Sequence, residues 1–163
     1  MAMDERAARL IATLDLRPHP EGGRFAQIHR STSLVQPLDE RPQRAALTAI
    51  YYLLVAGELS RWHRVASDES WHHCEGAPLE LLTLDAPLQT LSRLVLGPID
   101  SHARPVRVVP GGQWQAARSL GEYTLVACTV GPGFDYADFL LLGDCANDAA
   151  RAVRQHPRAA EFI

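Results

Sequence analysis

The sequence predicts an all-β fold, a jelly roll of two sheets, with a short α-helix flanking it at each terminus. Three observations carry this. Many short runs of strand-like residues follow one another along the chain. Gly and Pro clusters separate them, at Gly22-Gly23, Gly97-Pro98, Pro110-Gly111-Gly112 and Gly131-Pro132-Gly133. Helical periodicity is confined to the two ends. At 163 residues the chain is expected to form one domain, residues 1–163.

The elements follow in order. Asp4 to Leu14 repeats apolar residues at helical spacing (Ala7, Leu10, Ile11, Leu14) with acids in its first turn, and reads as an amphipathic helix lying on a sheet. Pro18-His19-Pro20-Glu21-Gly22-Gly23 is a bent loop leading into a strand, RFAQIHR. Arg24 and Arg30 fall on one face of that strand, where they suit an anion. Leu34 to Arg44, with Pro37 and Pro42, reads as an exposed loop over the mouth or at the edge of the sheets. Ala45 to Val55 is apolar on both alternations, as in a strand covered on both faces by a second sheet or by a dimer partner. SRWHRV and ESWHHC follow, joined at Ser67-Asp68, and read as a hairpin.

Pro78 to Leu84 and Gln89 to Leu96 are two further strands, split by Asp85-Ala86-Pro87. Val106 to Val109, Gln113 to Ala117 and Glu122 to Val130 complete the strands. Phe134 to Leu142 is rich in aromatics and acids. Asp144 is the expected N-cap of a closing helix from Cys145 to about Gln155, ended before Pro157.

Composition narrows the function. A formal net charge of −3 and the absence of any basic block argue against a generic nucleic-acid surface. All 16 basic side chains are arginine, which excludes a Schiff-base lysine and leaves the α-amino group as the only amine. Cys74, Cys128 and Cys145 stand at unrelated spacings and read as buried thiols in a reducing compartment. The start of the chain lacks the pattern of a signal peptide, and no apolar run is long enough to span a membrane. A cytoplasmic protein without membrane or nucleic-acid partners is expected.

The stretch from Gly57 to Gly76 gathers His63, Glu69, His72 and His73 between two glycines. If His63 points inward, so do Arg61 and Val65; if Glu69 does, so do Trp71 and His73. This stretch resembles the first cupin motif, G-x5-H-x-H-x3,4-E-x6-G, with Gly57, His63, Glu69 and Gly76 on four positions and Val65 in place of the second histidine. PGGQWQ resembles part of the second motif, with Pro110 and Gly112 matching, Gln115 at the metal-binding histidine and Ser119 at the asparagine. PHPEGGRFAQIHRS, Thr48 to Leu54, WHRVASDESWH and PGFDYADFLLL are similar to a narrower cupin family described as predicted sugar epimerases. The resemblance implies a double-stranded β-helix, a homodimer and one small-molecule pocket.

For that pocket the candidate proton-transfer groups are His63 and Glu69, with Tyr123 or Tyr136 as the acid, by analogy with epimerases of the same fold. The candidate ligand-binding residues are Arg61, Trp71, His73, Gln115, Glu21 and Asp135. Arg61 is expected either to pair with a pocket acid, for which Asp135 and Asp138 are candidates, or to bind a ligand anion. No tightly held cofactor is expected, because Val65 and Gln115 remove two imidazoles. A weakly bound divalent metal would use His63, Glu69 and Gln115 with His72 or His73. Three functions stay open: an isomerase or epimerase of a sugar or sugar nucleotide, a non-enzymatic small-molecule binding or sensing protein, and a metal-dependent oxygenase.

Overall fold

The computed structural model describes residues 3–163; the α-amino group lies outside them. In chain order the elements are α1 (Glu5–Thr13), β1 (Arg17–Pro18), β2 (Arg24–Arg30), β3 (Leu34–Val35), β4 (Arg44–Ala45), β5 (Thr48–Val55), β6 (Ser60–Arg64) and β7 (Asp68–Gly76). Then come β8 (Leu79–Leu84), β9 (Leu91–Leu96), β10 (Ala103–Arg104), β11 (Val106–Val109), β12 (Trp114–Ser119), β13 (Tyr123–Gly131), β14 (Leu140–Leu141) and α2 (Ala146–Gln155). Two six-stranded sheets form the jelly roll, in the orders β1-β2-β5-β13-β7-β11 and β10-β9-β8-β12-β6-β14.

Period-two alternation builds three apolar layers from these strands. Tyr52, Trp71, Val126 and Cys128 of the first sheet meet Leu79, Leu81, Leu96 and Ala117 of the second. The outer face of the second sheet (Trp62, Leu82, Leu84, Trp114, Ala116) is covered by Ala152 of α2 and by Ala159 and Phe162 of the C-terminal 3-10 turn. The outer face of the first sheet is covered by α1 and the turn after it, where Leu10 and Leu16 pack on Leu53 and Leu125. This explains why the β5 sequence is apolar on both alternations. Asp4 caps α1, its carboxylate accepting the Arg6 and Ala7 N–H groups.

Three expectations are corrected here. SRWHRV and ESWHHC do not form a hairpin: β6 lies between β12 and β14 in one sheet, and β7 between β13 and β11 in the other. The chain crosses the gap at Val65–Ser67, held by the 110–112 turn. There Gly112 N–H donates to Val65 O at 2.8 Å and Gly111 N–H donates to Asp68 Oδ1 at 2.8 Å. A Cβ on Gly111 would come within 2.5 Å of Ala66 O, so this close approach requires glycine. Asp144 does not cap α2; Cys145 stands at the cap with no side-chain bond, because Leu142–Asp144 is itself a 3-10 turn. Cys74 is exposed rather than buried, whereas Cys128 is buried. Among the described residues no helix is long and apolar enough to cross a membrane.

Candidate functional site

A cavity of about 320 Å³ opens between the sheets at the end where β6 crosses to β7. Its floor is the inner face of the first sheet, built from rungs of paired residues. Arg30–Thr48–Val130–Glu69 form one rung and Gln27–Ile50–Cys128–Trp71 the next; Phe25 and Tyr52 pair on a third. A bulge between Gln27 and His29 shifts the alternation of β2, so Arg30 faces the cavity together with Phe25 and Gln27. Arg24 is thereby separated from Arg30 and pairs with Glu58 instead, which corrects the shared anion-binding face.

His63 and Val65 enter from the second sheet, His19 and Glu21 from the loop before β2, and Phe134, Asp135, Tyr136 and Phe139 from the segment after β13. The lining is mostly apolar and aromatic around a few polar groups, the composition of small-molecule sites. The His63 ring stacks on Phe139 at 5.7 Å between centroids, and His19 stacks on Tyr136 at 6.4 Å.

The polar groups are deeply buried. His63 is 2% exposed, Glu21 6% and Glu69 7%. His63 Nδ1 donates to Arg61 O at 2.8 Å, which fixes the ring and turns Nε2 to the cavity. Nε2 lies 3.2 Å from Glu21 Oε2. Ser60 Oγ donates to Glu21 Oε1 at 2.8 Å. Burial lowers the proton affinity of His63 while Glu69 opposes the shift. Burial raises Glu21, opposed first by His19. Glu69 is pushed by burial up to about 7, with His63 pulling it down and Glu21 pushing it further up.

Gln115 is fully buried beneath Glu69 and does not line the cavity. Its Nε2 donates to Glu69 Oε2 and its Oε1 accepts the Trp71 Nε1–H at 2.9 Å, so it orients both from the opposite sheet. Trp71, Asp135, Glu21 and Tyr136 line the cavity, Tyr136 at its mouth with 53% exposure.

The remaining candidates lie elsewhere. Among the described residues Arg61 pairs with no acid, and it does not enter the cavity; it is exposed, which keeps the charge hydrated, and its guanidinium donates to the carbonyls of Pro20 and Glu21. Asp138, offered as its partner, instead pairs with Arg41 and Arg44. Tyr123 donates to Glu75 Oε1 at 2.8 Å beside Arg6 of α1. That network holds the Glu75 carboxyl down at about 2. His73 lies four residues beyond Glu69, about 13 Å along an extended strand, where its Nε2 meets the carbonyls of Gly76 and Ala77. His72, on the other face of β7, bonds Ser70 Oγ at 3.0 Å. His19, Cys128, Ser60 and the aromatic pair Phe134 and Phe139 are site residues that were not singled out as such. The PHPEGG loop was the available signal for His19.

The donor set does not fit a cupin metal. Val65 supplies no ligand, the Gln115 amide is committed on both atoms, and His72 and His73 are turned away. Among the described residues no group of three or more His, Cys, Asp or Glu side chains is arranged to hold a metal ion.

Two facing sheets around one cavity, with its His and Glu delivered by a glycine-bracketed crossing segment, define the cupin class. Residues 8–142 match the family described as Cupin superfamily (DUF985), and the chain belongs to that family. A hypothetical protein from Leishmania major is 32% identical and similar over 91% of this chain and 97% of its own, with a TM-score of 0.79. A Shewanella oneidensis protein is 30% identical over 91% of this chain and 94% of its own, with a TM-score of 0.77. Bacillus subtilis oxalate decarboxylase, 14% identical, shares the fold alone over 83% of this chain and 32% of its own, with a TM-score of 0.57. No curated protein matches the sequence.

Proposed function

We propose that the protein is an isomerase that moves a proton at a carbon next to a carbonyl in a small sugar-like molecule. The observation that carries this reading is the cavity between the sheets, which Glu69, pushed by burial up to about 7, and His63 enter from opposite sheets. A base poised near neutral pH can both take and return a proton. Ionised Glu69 removes the proton from carbon, and the C–H electron pair moves into an enolate. Return of a proton to the same carbon restores the carbonyl compound: from Glu69 it gives back the starting isomer, and from His63 on the other side it gives the epimer. Tyr136 at the mouth is the phenol placed to donate to the enolate oxygen; Tyr123 is engaged with α1 and plays no part.

The test is deuterium wash-in from heavy water into a panel of keto sugars, free and phosphorylated, followed by NMR. Wild-type protein is expected to catalyse incorporation at the carbon beside the carbonyl, and Glu69→Gln to reduce it at least ~100-fold. Absence of incorporation into every compound overturns the reading. A second reading, a small-molecule binding protein without chemistry, is favoured by the apolar and aromatic lining. Saturable binding of a panel member with no deuterium incorporation would establish it instead.

A further inference from the structure

We infer that Glu21 and His63 hold one proton between them and act as a single acid, with Glu21 the residue that stores the proton that His63 Nε2 passes on. The role of this pair in turnover rests on the proton-transfer reading of the cavity; the shared proton itself does not.

The loop that carries Glu21 is built to press its carboxyl inward. Gly22 has φ +114°, and a Cβ there would sit 2.0 Å from Leu59 O. Gly23 has φ +64°, and its Cβ would meet Leu53 O at 2.8 Å. The loop closes on itself through Gly22 N–H to His19 O at 3.0 Å and His19 N–H to Gly23 O at 3.1 Å. Tyr52 Oη anchors it to β5 by donating to Gly22 O at 2.8 Å.

The hydrogen-bond directions then decide where the proton is. A carbonyl only accepts, so His63 Nδ1, bonded to Arg61 O, carries a hydrogen. His19 Nδ1 accepts the Glu21 N–H at 3.3 Å, so it has no proton to offer Glu21 Oε2, which lies 3.4 Å away. What remains is His63 Nε2 against Glu21 Oε2 at 3.2 Å. With neither protonated, two lone pairs, one on a full anion, would face each other in a buried site that also holds Glu69. One proton between the two atoms removes that repulsion. Burial favours its placement on the carboxyl, since it raises Glu21 and lowers His63. The titratable and charged groups around the pair are His19 on the loop, Arg30 on β2, Tyr52 on β5, Arg61 on β6, Glu69 on β7, Cys128 on β13, and Asp135 and Tyr136 beyond β13.

In turnover the pair gives this proton to the carbon as Glu69 takes one from it, and the two groups are reset by exchange with water. Glu21 is thus a positioning residue that acts through His63.

The experiment is NMR of the full-length protein labelled with ¹⁵N in histidine and ¹³C in the glutamate carboxyls, between about pH 5 and 8. In the wild type the His63 Nδ1 signal should be protonated throughout and Nε2 shifted by a hydrogen bond. The Glu21 carboxyl should resonate as an acid at neutral pH. Glu21→Gln should move the Nε2 signal and lower deuterium wash-in about a hundredfold, with Glu21→Asp restoring part of both. A fully ionised Glu21 beside an unprotonated Nε2 in the wild type, an unaltered Nε2 signal in Glu21→Gln, or a stoichiometric divalent ion on Nε2 overturns the inference. A shared proton in a protein that exchanges no substrate proton supports the inference and removes the isomerase reading.

Discussion

Glu69 stands where the alternation of β7 would ordinarily place an apolar side chain, paired across the sheet with Val130. Its folded pKa, about 7, lies above its ordinary 4.5, so in that window the folded protein holds a proton that the unfolded chain has released. Stability therefore falls as pH rises from about 4.5 to about 7 and levels off above that range. Glu69→Gln has no proton to lose and keeps a partner for the Gln115 amide. Its unfolding free energy, measured by urea titration across this range, should decline less than that of the wild type, with Glu21, raised by burial in the same direction, supplying what decline remains. Above the window the variant should be at least as stable as the wild type while losing proton exchange. His63→Gln should likewise change the melting temperature by only a few degrees, what ~1 kcal/mol produces in a domain of this size. Outright unfolding of both variants would assign the two residues to the core rather than to the site.

At the scale of elements, the segment after β13 supplies most of the aromatic wall, and one ion pair fixes where it sits. Asp138 receives two hydrogen bonds from Arg44, with both side chains 7% exposed, and a third from Arg41 at 3.2 Å. This ties the turn that carries Tyr136 and Phe139 to the loop before β5. Asp138→Ala would leave Arg44 with no acid partner in a confined site. It should lower the melting temperature by several degrees and loosen the wall, seen as faster amide exchange at residues 134–139. Unchanged protection there would show that Phe134, Tyr136 and Phe139 hold the segment by packing alone. Strand identity was legible in the sequence wherever alternation ended at glycine or proline: the bounds Arg24–Arg30 and Val106–Val109 stand as read. The spacing from Gly57 to Gly76 pointed to His63 and Glu69, and both line the cavity. Pairing was not legible, because SRWHRV and ESWHHC alternate identically whether they pair with each other or with distant strands. The contacts that decide it, from Gly111 and Gly112 to Asp68 and Val65, are long-range. The bulge that brings Arg30 inward and the docking of α1 that engages Tyr123 leave no local pattern for the same reason.

At the scale of the whole molecule, we propose that the homodimer expected from the sequence would form through an edge rather than through β5. The outer face of β5 is occupied by α1 and the turn after it, with Leu10 and Leu16 against Leu53, so no partner is needed to cover it. The edge of β2 is different. β1 covers it only at Arg24 and Phe25, and from Ala26 to Arg30 its outer side has no strand partner among the described residues. Ile28 at the bulge is 48% exposed there, and Leu34, just beyond the strand, is 63% exposed. An open edge with apolar side chains invites strand pairing, and a second copy added across a two-fold axis would satisfy both edges at once. Gln27 and Arg30 of the same strand line the cavity, so that pairing would also fix one of its walls. Light scattering at micromolar concentration should give twice the 18.0 kDa chain mass. Ile28→Glu, which sets like charges against each other across the axis, should shift the protein to monomer with its fold intact. A wild-type monomer at that concentration would mean that the bulge in β2 already protects the edge.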